Sequence, residues 1–120
     1  MATRKRARTG ASAAAQWAGP VFLHVTLEVR AAGLAKFFET MKLALSIVEP
    51  IGWKLRGAFV QRTGRLNTVI DLWELEDFNH FDRGIRALGS HPQSKKLLAA
   101  LAETVESETI VFADRAPYMR

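Results

Sequence analysis

Residues 66–88, LNTVIDLWELEDFNHFDRGIRAL, change within one stretch from the two-residue period of a strand to the longer period of a helix. Side chains alternate in character as far as Leu75, which predicts a β-strand. Glu76-Asp77 follows and has the composition of a helix start, with Asp77 as the N-cap. The apolar residues beyond it recur at helical spacing: Phe78, Phe81, Ile85 and Leu88. The stretch therefore predicts a domain that mixes strands with helices.

The residues that lead up to this stretch begin with a strand and a helix. VFLHVTLEV, Val21–Val29, alternates between an apolar face and a mixed face, which predicts a strand. A helix is predicted to begin at Ala32-Gly33 and to end at Pro50 and Gly52. Its apolar stripe comprises Leu34, Phe37, Phe38, Met41, Leu45 and Val48.

Three further elements complete the chain. Trp53–Arg62 predicts a second strand, which a hairpin turn at Thr63-Gly64 joins to the strand at residues 66–75. Ser90–Gln93 has the form of a capping box and predicts another helix. The apolar side of that helix comprises Leu97, Leu98, Leu101 and Val105. A short β-rich run, Thr109–Ala113, predicts the last strand.

The predicted order is strand, helix, strand, strand, helix pair, strand. It matches the βαββαβ order of an α+β, ferredoxin-like domain with a four-stranded antiparallel sheet. Helices cover only one face of such a sheet. We expect the other face to carry Phe22, Val69 and Trp73, which are too apolar to remain in water, so a second copy should cover it. We expect residues 20–120 to form this domain and residues 1–19 to be a disordered tail rich in basic residues and alanine.

The composition excludes several classes of function. The chain has no cysteine, which rules out disulfides and thiolate sites and fits a cytoplasmic location. No apolar run reaches the ~20 residues of a membrane span. The tail supplies four positive charges through Arg4, Lys5, Arg6 and Arg8, and the remainder carries 13 basic and 12 acidic residues. Because the domain is nearly neutral, we expect neither a specific nucleic-acid partner nor a membrane partner.

The stretch at 66–88, followed by SHPQSKKLLAAL and the closing APY, resembles the NIPSNAP family of dimeric α/β-barrel proteins. The similarity runs from about Val21 to Tyr118. The matching positions are Gly33, Gly57, Phe59, Gly64, Arg65, Leu66, Asn67, Leu72, Trp73 and Asp77. The resemblance implies a homodimer whose two sheets pack face to face around a cavity for a small organic ligand. Family members often carry a histidine just before Leu-Trp, where this chain has Asp71.

Two strands have faces that mix polar with apolar side chains and suggest a site. Antiparallel pairing of the first and third strands, with their centres matched, places His24 roughly opposite Asp71. A carboxylate beside an imidazole fixes the tautomer that a general base needs. We therefore predict His24 and Asp71 as catalytic residues. A buried polar pair that serves stability alone is the alternative.

The same faces supply the predicted substrate-binding residues, which are Thr26, Glu28, Phe59, Asn67, Val69 and Trp73. The other two histidines, His80 and His91, lie on predicted helix segments, and we expect His80 to be exposed. Three scattered histidines without a carboxylate at ligand spacing predict no metal site. We expect no bound cofactor, because the sequence has neither a glycine-rich phosphate loop nor a nucleotide fingerprint.

These expectations indicate a small, cofactor-independent enzyme that acts on a hydrophobic, polyketide-like or aromatic substrate in specialised metabolism. The favoured reaction is a cyclisation or isomerisation in which His24 and Asp71 move a proton. A cofactor-independent monooxygenase is one alternative. A non-catalytic ligand-binding or scaffold protein is the other.

Overall fold

The computed structural model describes residues 19–119 and confirms the predicted order of strands and helices. Residues 1–18 of the predicted tail lie outside the described residues. The strands are β1 (Val21–Val29), β2 (Lys54–Val60), β3 (Thr68–Leu75) and β4 (Val105–Ala113), and the helices are α1 (Leu34–Val48), α2 (Phe78–Ser90) and α3 (Ser94–Thr104). Short 3-10 turns, Ala31–Gly33 and Glu49–Ile51, flank α1.

The four strands form one antiparallel sheet in the order β2-β3-β1-β4, so β1 and β3 are the central pair. This is the ferredoxin-like arrangement that the element order predicts. β4 begins at Val105, directly after α3, and not at Thr109 as the β-rich run suggested. The added residues give β4 the full length of β1, its neighbour.

The helices cover one face of the sheet, called here the inner face, and no described helix covers the outer face. Every second residue of β1 from Val21 to Val29 is buried on the inner face. Phe37, Trp53 and Trp73 belong to the same core cluster. Burial of these large side chains is the main source of stability, at roughly 25 cal/mol for each Å² removed from water.

The buried stripe of α1 differs from the predicted one. Its buried residues are Phe37, Thr40, Ala44, Ile47 and Val48. Phe38, which was placed in the stripe, is 42% exposed. The stripe is displaced because α1 packs against α3 as well as against the sheet, and Ala44 and Ile47 meet Leu97 there.

The predicted capping box at the start of α3 is wrong. α2 extends through Ser90, so this serine ends one helix and does not cap the next. Gln93 is the N-cap residue of α3, and its side chain makes no capping hydrogen bond. The backbone N–H of Gln93 instead donates to Nδ1 of His91 at 3.0 Å. Leu98, predicted to be apolar core, is 54% exposed.

Candidate active site

The register of β1 against β3 decides which side chains share a face of the sheet. Val25 lies opposite Asp71, and Leu23 lies opposite Trp73. His24 lies opposite Leu72. Because side chains alternate along a strand, a shift of one residue exchanges the two faces. Asp71 is therefore on the inner face with the apolar residues of β1, and His24 is on the outer face. The predicted His24–Asp71 contact is wrong.

A cavity of about 110 Å³ lies between the inner face and the helices. Its walls come from the strands and from all three helices. Two of its lining residues are acidic, and the other thirteen are apolar: Leu23, Val25, Leu27, Met41, Ala44, Val48, Trp53, Trp73, Phe81, Ile85, Leu88, Leu101 and Ile110. Ile85 and Ile110 are 44% and 39% exposed, so the cavity opens to solvent on their side.

Asp71 is the buried acid of this cavity. It is 4% exposed, and no other described residue donates a hydrogen bond to its carboxylate. Burial, and then the charge of Glu108, raise the pKa of Asp71 from its usual value to about 6. Both causes destabilise the ionised form, because a charge in apolar surroundings loses hydration and two like charges repel. The carboxyl group therefore changes its charge close to neutral pH.

Glu108 is the second acid, and the sequence reasoning missed it. It lies on β4 opposite Leu27, with its side chain exposed at the edge of the cavity. Partial burial raises the pKa of Glu108 as well. The alternating residues Glu106, Glu108, Ile110 and Phe112 could have indicated that the strand includes Glu108. The predicted strand began only at Thr109, so Glu108 was left out.

Three aromatic rings form one wall of the cavity. The indole of Trp53 stacks on Phe81 with centroids 5.8 Å apart and an interplanar angle of 19°. It meets Trp73 edge to face at 5.4 Å. Such pairs contribute roughly 0.5–1.5 kcal/mol beyond the area they bury. Trp73 was predicted on the same face as His24 but lines the inner cavity, and Trp53 and Phe81, which were not predicted as site residues, line it as well.

A second groove, of about 210 Å³, lies on the other side of Asp71, towards β2. The predicted substrate-binding residue Val69 lines it from the inner face, and Phe59, which pairs with Ile70 on the outer face, lies at its edge. Asp71 and Met41 line both spaces. Methionine is unbranched and adapts its shape readily, so a change in its rotamer could join the two. Together they would offer on the order of 300 Å³, which is the lower end for ligand pockets.

The remaining predicted residues do not join this site. Thr26 and Glu28 project from the outer face of β1, and Glu28 pairs with Arg65 at 3.2 Å. Asn67 precedes β3 with a positive φ of 62°, which asparagine tolerates better than most residues. Its carbonyl oxygen accepts a hydrogen bond from the N–H of Val29.

His24 lines a separate groove on the outer face. This groove has a volume of about 360 Å³, and residues 114–116 after β4 form one side of it. Phe22, Arg56 and Glu74 also line it. The guanidinium of Arg115 lies 5.8 Å from the ring centroid of Phe22. His24 is thus exposed among charged groups and has no contact with the buried acid.

His80 is fully buried, so the prediction of an exposed histidine is wrong. Its Nδ1 accepts a hydrogen bond from the N–H of Glu76 at 2.9 Å, and its Nε2 lies 2.6 Å from the carbonyl oxygen of Ile51. These partners define the tautomer in which Nε2 carries the proton and donates it to Ile51. Both ring nitrogens are therefore committed to the backbone, and His80 is a structural residue.

The described residues contain neither a metal-binding cluster nor a helix suited to a membrane span. Residues 19–119 contain no group of three or more histidine, aspartate and glutamate side chains placed to hold a metal ion. None of the helices described there has both the length and the apolar character needed to cross a membrane.

Comparison with proteins of known structure identifies the same fold elsewhere. A NIPSNAP domain protein from Burkholderia xenovorans shares 23% identity with a TM-score of 0.71, over 83% of this chain and 98% of that one. A NIPSNAP family protein from Agrobacterium tumefaciens str. C58 shares 15% identity with a TM-score of 0.72, over 84% and 90%. A Caulobacter crescentus CB15 protein, provisionally named an antibiotic biosynthesis monooxygenase, shares 16% sequence identity with a TM-score of 0.69. The match covers 88% of this chain and 98% of that one.

At these identities the likeness shows the fold alone, because one fold serves many chemistries. No curated protein matches the sequence significantly. The sequence itself matches the NIPSNAP family over residues 22–117, which is nearly the whole of the described domain. This chain belongs to the NIPSNAP family.

Proposed function

We propose that this protein is a cofactor-independent enzyme that moves a proton on a small apolar organic substrate, in a reaction of the isomerase or cyclase type. The substrate would lie between the inner face and the helices, with Asp71 as the acid/base residue. The observation that carries the proposal is a carboxyl group only 4% exposed, without a hydrogen-bond donor, that lines an apolar cavity. Ionisable groups with perturbed pKa values in such cavities are candidates for function.

The raised pKa of Asp71 suits proton transfer. An acid/base group works best when its pKa lies near the pH at which the enzyme operates, because it must both accept and return a proton. With a pKa of about 6, Asp71 is mostly ionised at neutral pH and is a far stronger base than an exposed aspartate. The apolar walls would hold the substrate and exclude water, which favours proton transfer within a fixed geometry.

Two of the earlier alternatives stay open for this cavity. Oxygen insertion is suggested by the fold shared with the Caulobacter protein, but a shared fold does not determine chemistry. A non-catalytic binding protein would use the same apolar walls. We rank both below proton transfer because neither explains why a buried carboxyl without a hydrogen-bond donor lines the cavity.

A second candidate site is the outer groove around His24. Its volume of about 360 Å³ exceeds that of the inner cavity, and it combines an imidazole with Arg56 and Arg115. In this version His24 would act as the base and Thr26, Glu28 and Phe59 would contact the substrate from the outer face. The two candidates are distinguished by which residue, His24 or Asp71, is required for turnover.

We further propose that the outer face pairs with a second copy of the chain. Phe59, Leu72 and Val111 lie on this face and are 58%, 37% and 49% exposed. A cluster of such side chains on a sheet face favours association. Val69 and Trp73, which were expected to add to this face, are buried on the inner one. The outer groove would then lie between the two sheets.

Because the natural substrate is not identified, deuterium exchange with a set of candidate compounds tests the proposed function. The protein is incubated in D₂O with a library of one-ring ketones, lactones, phenols and aromatic amines, and mass spectrometry detects incorporation of deuterium at carbon. Proton transfer at carbon gives exchange that depends on the enzyme and is lost in Asp71→Asn. Exchange that is equally fast in the variant, or no exchange with any member of the library, contradicts the proposal.

A further inference from the structure

The charged groups at the inner cavity all have the same sign. Asp71 faces it from β3 and Glu108 from β4, while the lining residues from β1 and from the three helices are apolar. No lysine or arginine of the described residues lines the cavity, and Lys42 lines only the adjoining groove. The Lys42 side chain is 73% exposed, and its Nζ pairs with Glu39 at 3.0 Å. An anionic ligand in the cavity would therefore meet repulsion and find no counter-charge.

Asp71 lacks the hydrogen-bond donors that a buried carboxylate needs. Nearly all buried polar groups in proteins are hydrogen-bonded, and a buried charge without a partner is costly. No described residue supplies a donor to it. A ligand that brings donors and a positive charge would satisfy this group, because hydrogen bonds between ions are roughly twice as strong as neutral ones.

The aromatic wall and the size of the cavity limit the rest of the ligand. Trp53, Trp73 and Phe81 pack on one another and line the cavity, and aromatic side chains suit an aromatic group and a cation. The volume of about 110 Å³ is of the same order as an engineered apolar cavity of ~150 Å³ that binds benzene. One ring with a short substituent is the size that fits without rearrangement.

We propose that the inner cavity selects small aromatic molecules that carry a protonated amine. The ammonium group would lie against Asp71 with Glu108 beside it, and the ring would lie on the wall formed by Trp53, Trp73 and Phe81. This inference rests on the proposed function, since it names the substrate class of the same cavity. Neutral molecules of that shape bind more weakly, and carboxylates are rejected.

The test uses three probes that share one ring and differ in charge: benzylamine, benzyl alcohol and benzoate. Isothermal titration calorimetry with the full chain at pH 8 should show benzylamine binding at least about tenfold tighter than benzyl alcohol, which corresponds to about 1.4 kcal/mol. Benzoate should not bind. At pH 5 the advantage of benzylamine should shrink, because protonated Asp71 no longer pairs with a cation. Asp71→Asn should abolish the advantage at pH 8 and leave benzyl alcohol within about threefold.

A preference for benzoate, equal binding of all three probes, or no binding of benzylamine at about 10 mM would overturn the inference. So would an amine preference that survives in Asp71→Asn. These outcomes are separate from those of the exchange assay. A protein that selects benzylamine but exchanges no deuterium would retain the inference and lose the proposed reaction. A protein that exchanges deuterium on neutral substrates and does not bind benzylamine would retain the proposed reaction and lose the inference.

Discussion

The indole Nε1–H of Trp53 donates a 3.0 Å hydrogen bond to the backbone carbonyl oxygen of His80, which joins the start of β2 to the first turn of α2. The hydrogen bond fixes the Nε1 edge of the Trp53 indole, and the indole also lines the cavity. Across the ring, Gly84 of α2 leaves the space that the indole occupies: a Cβ atom there would lie 2.2 Å from Trp53 Cζ2. The position of the aromatic wall thus depends on one hydrogen bond and one missing side chain.

Gly84→Ala should lower the free energy of unfolding by about 1–3 kcal/mol, because the added methyl group collides with a buried ring. Urea unfolding followed by circular dichroism measures the change. Gly89→Ala in the same helix is the matched control, since a Cβ atom there meets nothing within 4 Å. Alanine should be neutral at Gly89 or stabilise the helix by up to about 1 kcal/mol. Equal effects at the two positions would contradict the packing described.

His80→Ala should destabilise the fold by about 2–4 kcal/mol. The change removes the hydrogen-bond partner of the Ile51 carbonyl oxygen and of the Glu76 N–H, and it opens a cavity where the fully buried imidazole was. His91→Ala removes one hydrogen bond at a less buried position and should cost less than about 1 kcal/mol. The same unfolding measurement tests both. A loss of function in His80→Ala without loss of stability would contradict the structural role.

Asp71 should make stability depend on pH. Its pKa of about 6 in the folded protein exceeds the usual value of 3.8, so the folded state holds this proton more tightly than the unfolded state. Stability from this group is therefore full below about pH 4 and is lost as the pH rises through about 6, by at most about 3 kcal/mol. Asp71→Asn should remove this loss, so that the variant is more stable than the parent at pH 8.

Thermal unfolding at pH 5 and pH 8 gives the comparison between the two proteins. Asp82→Asn is the control, because Asp82 is exposed on α2 and pairs with Arg86 at 2.8 Å. It should change stability little at either pH. If Asp71→Asn is less stable than the parent at pH 8, a donor to the carboxylate exists and the account of its pKa is wrong.

Leu72→Glu should convert the proposed dimer into monomers. Leu72 lies on the outer face in a central strand and is 37% exposed, so a carboxylate there would be tolerated in a monomer but repelled by its symmetry mate. Light scattering should give twice the chain mass for the parent and a single mass for the variant. Leu98→Glu on α3, at 54% exposure, is the control and should remain dimeric. A monomeric parent at micromolar concentration would contradict the proposal.

The elements of the fold could be predicted because their periods are strong. Val21–Val29 alternates without interruption, and Asp77 is the N-cap of α2 as expected, its Oδ1 accepting from the N–H of His80 at 2.9 Å. The pairing register could not be predicted. Matching the centres of β1 and β3 put His24 opposite Asp71, one residue away from its observed partner Leu72, and a single residue exchanges the faces. Bulges between Leu55 and Gly57 and between Glu28 and Val29 shift the β2–β3 and β1–β4 pairings as well.

The candidate site was predicted only in part for a related reason. The alternation predicted one face with Asn67, Val69, Asp71 and Trp73, and matching the strand centres put that face on the same side of the sheet as His24. In the structure Asp71 shares the inner face with Val69 and Trp73. A lone carboxylate among apolar side chains is costly, and proteins retain such a group where function requires it. Glu108 escaped notice because its strand was predicted too short.

We propose that turnover depends on Asp71 in the inner cavity and not on His24 in the outer groove. The most direct test compares the deuterium exchange rates of the parent, Asp71→Asn and His24→Ala on one exchanging substrate. Each variant is first shown to be folded and of the same oligomeric state as the parent. The account predicts a loss of at least about 100-fold in Asp71→Asn, typical of removing an acid/base group, and a rate within about threefold of the parent in His24→Ala. A full loss in His24→Ala with exchange retained in Asp71→Asn would contradict it and place the site in the outer groove.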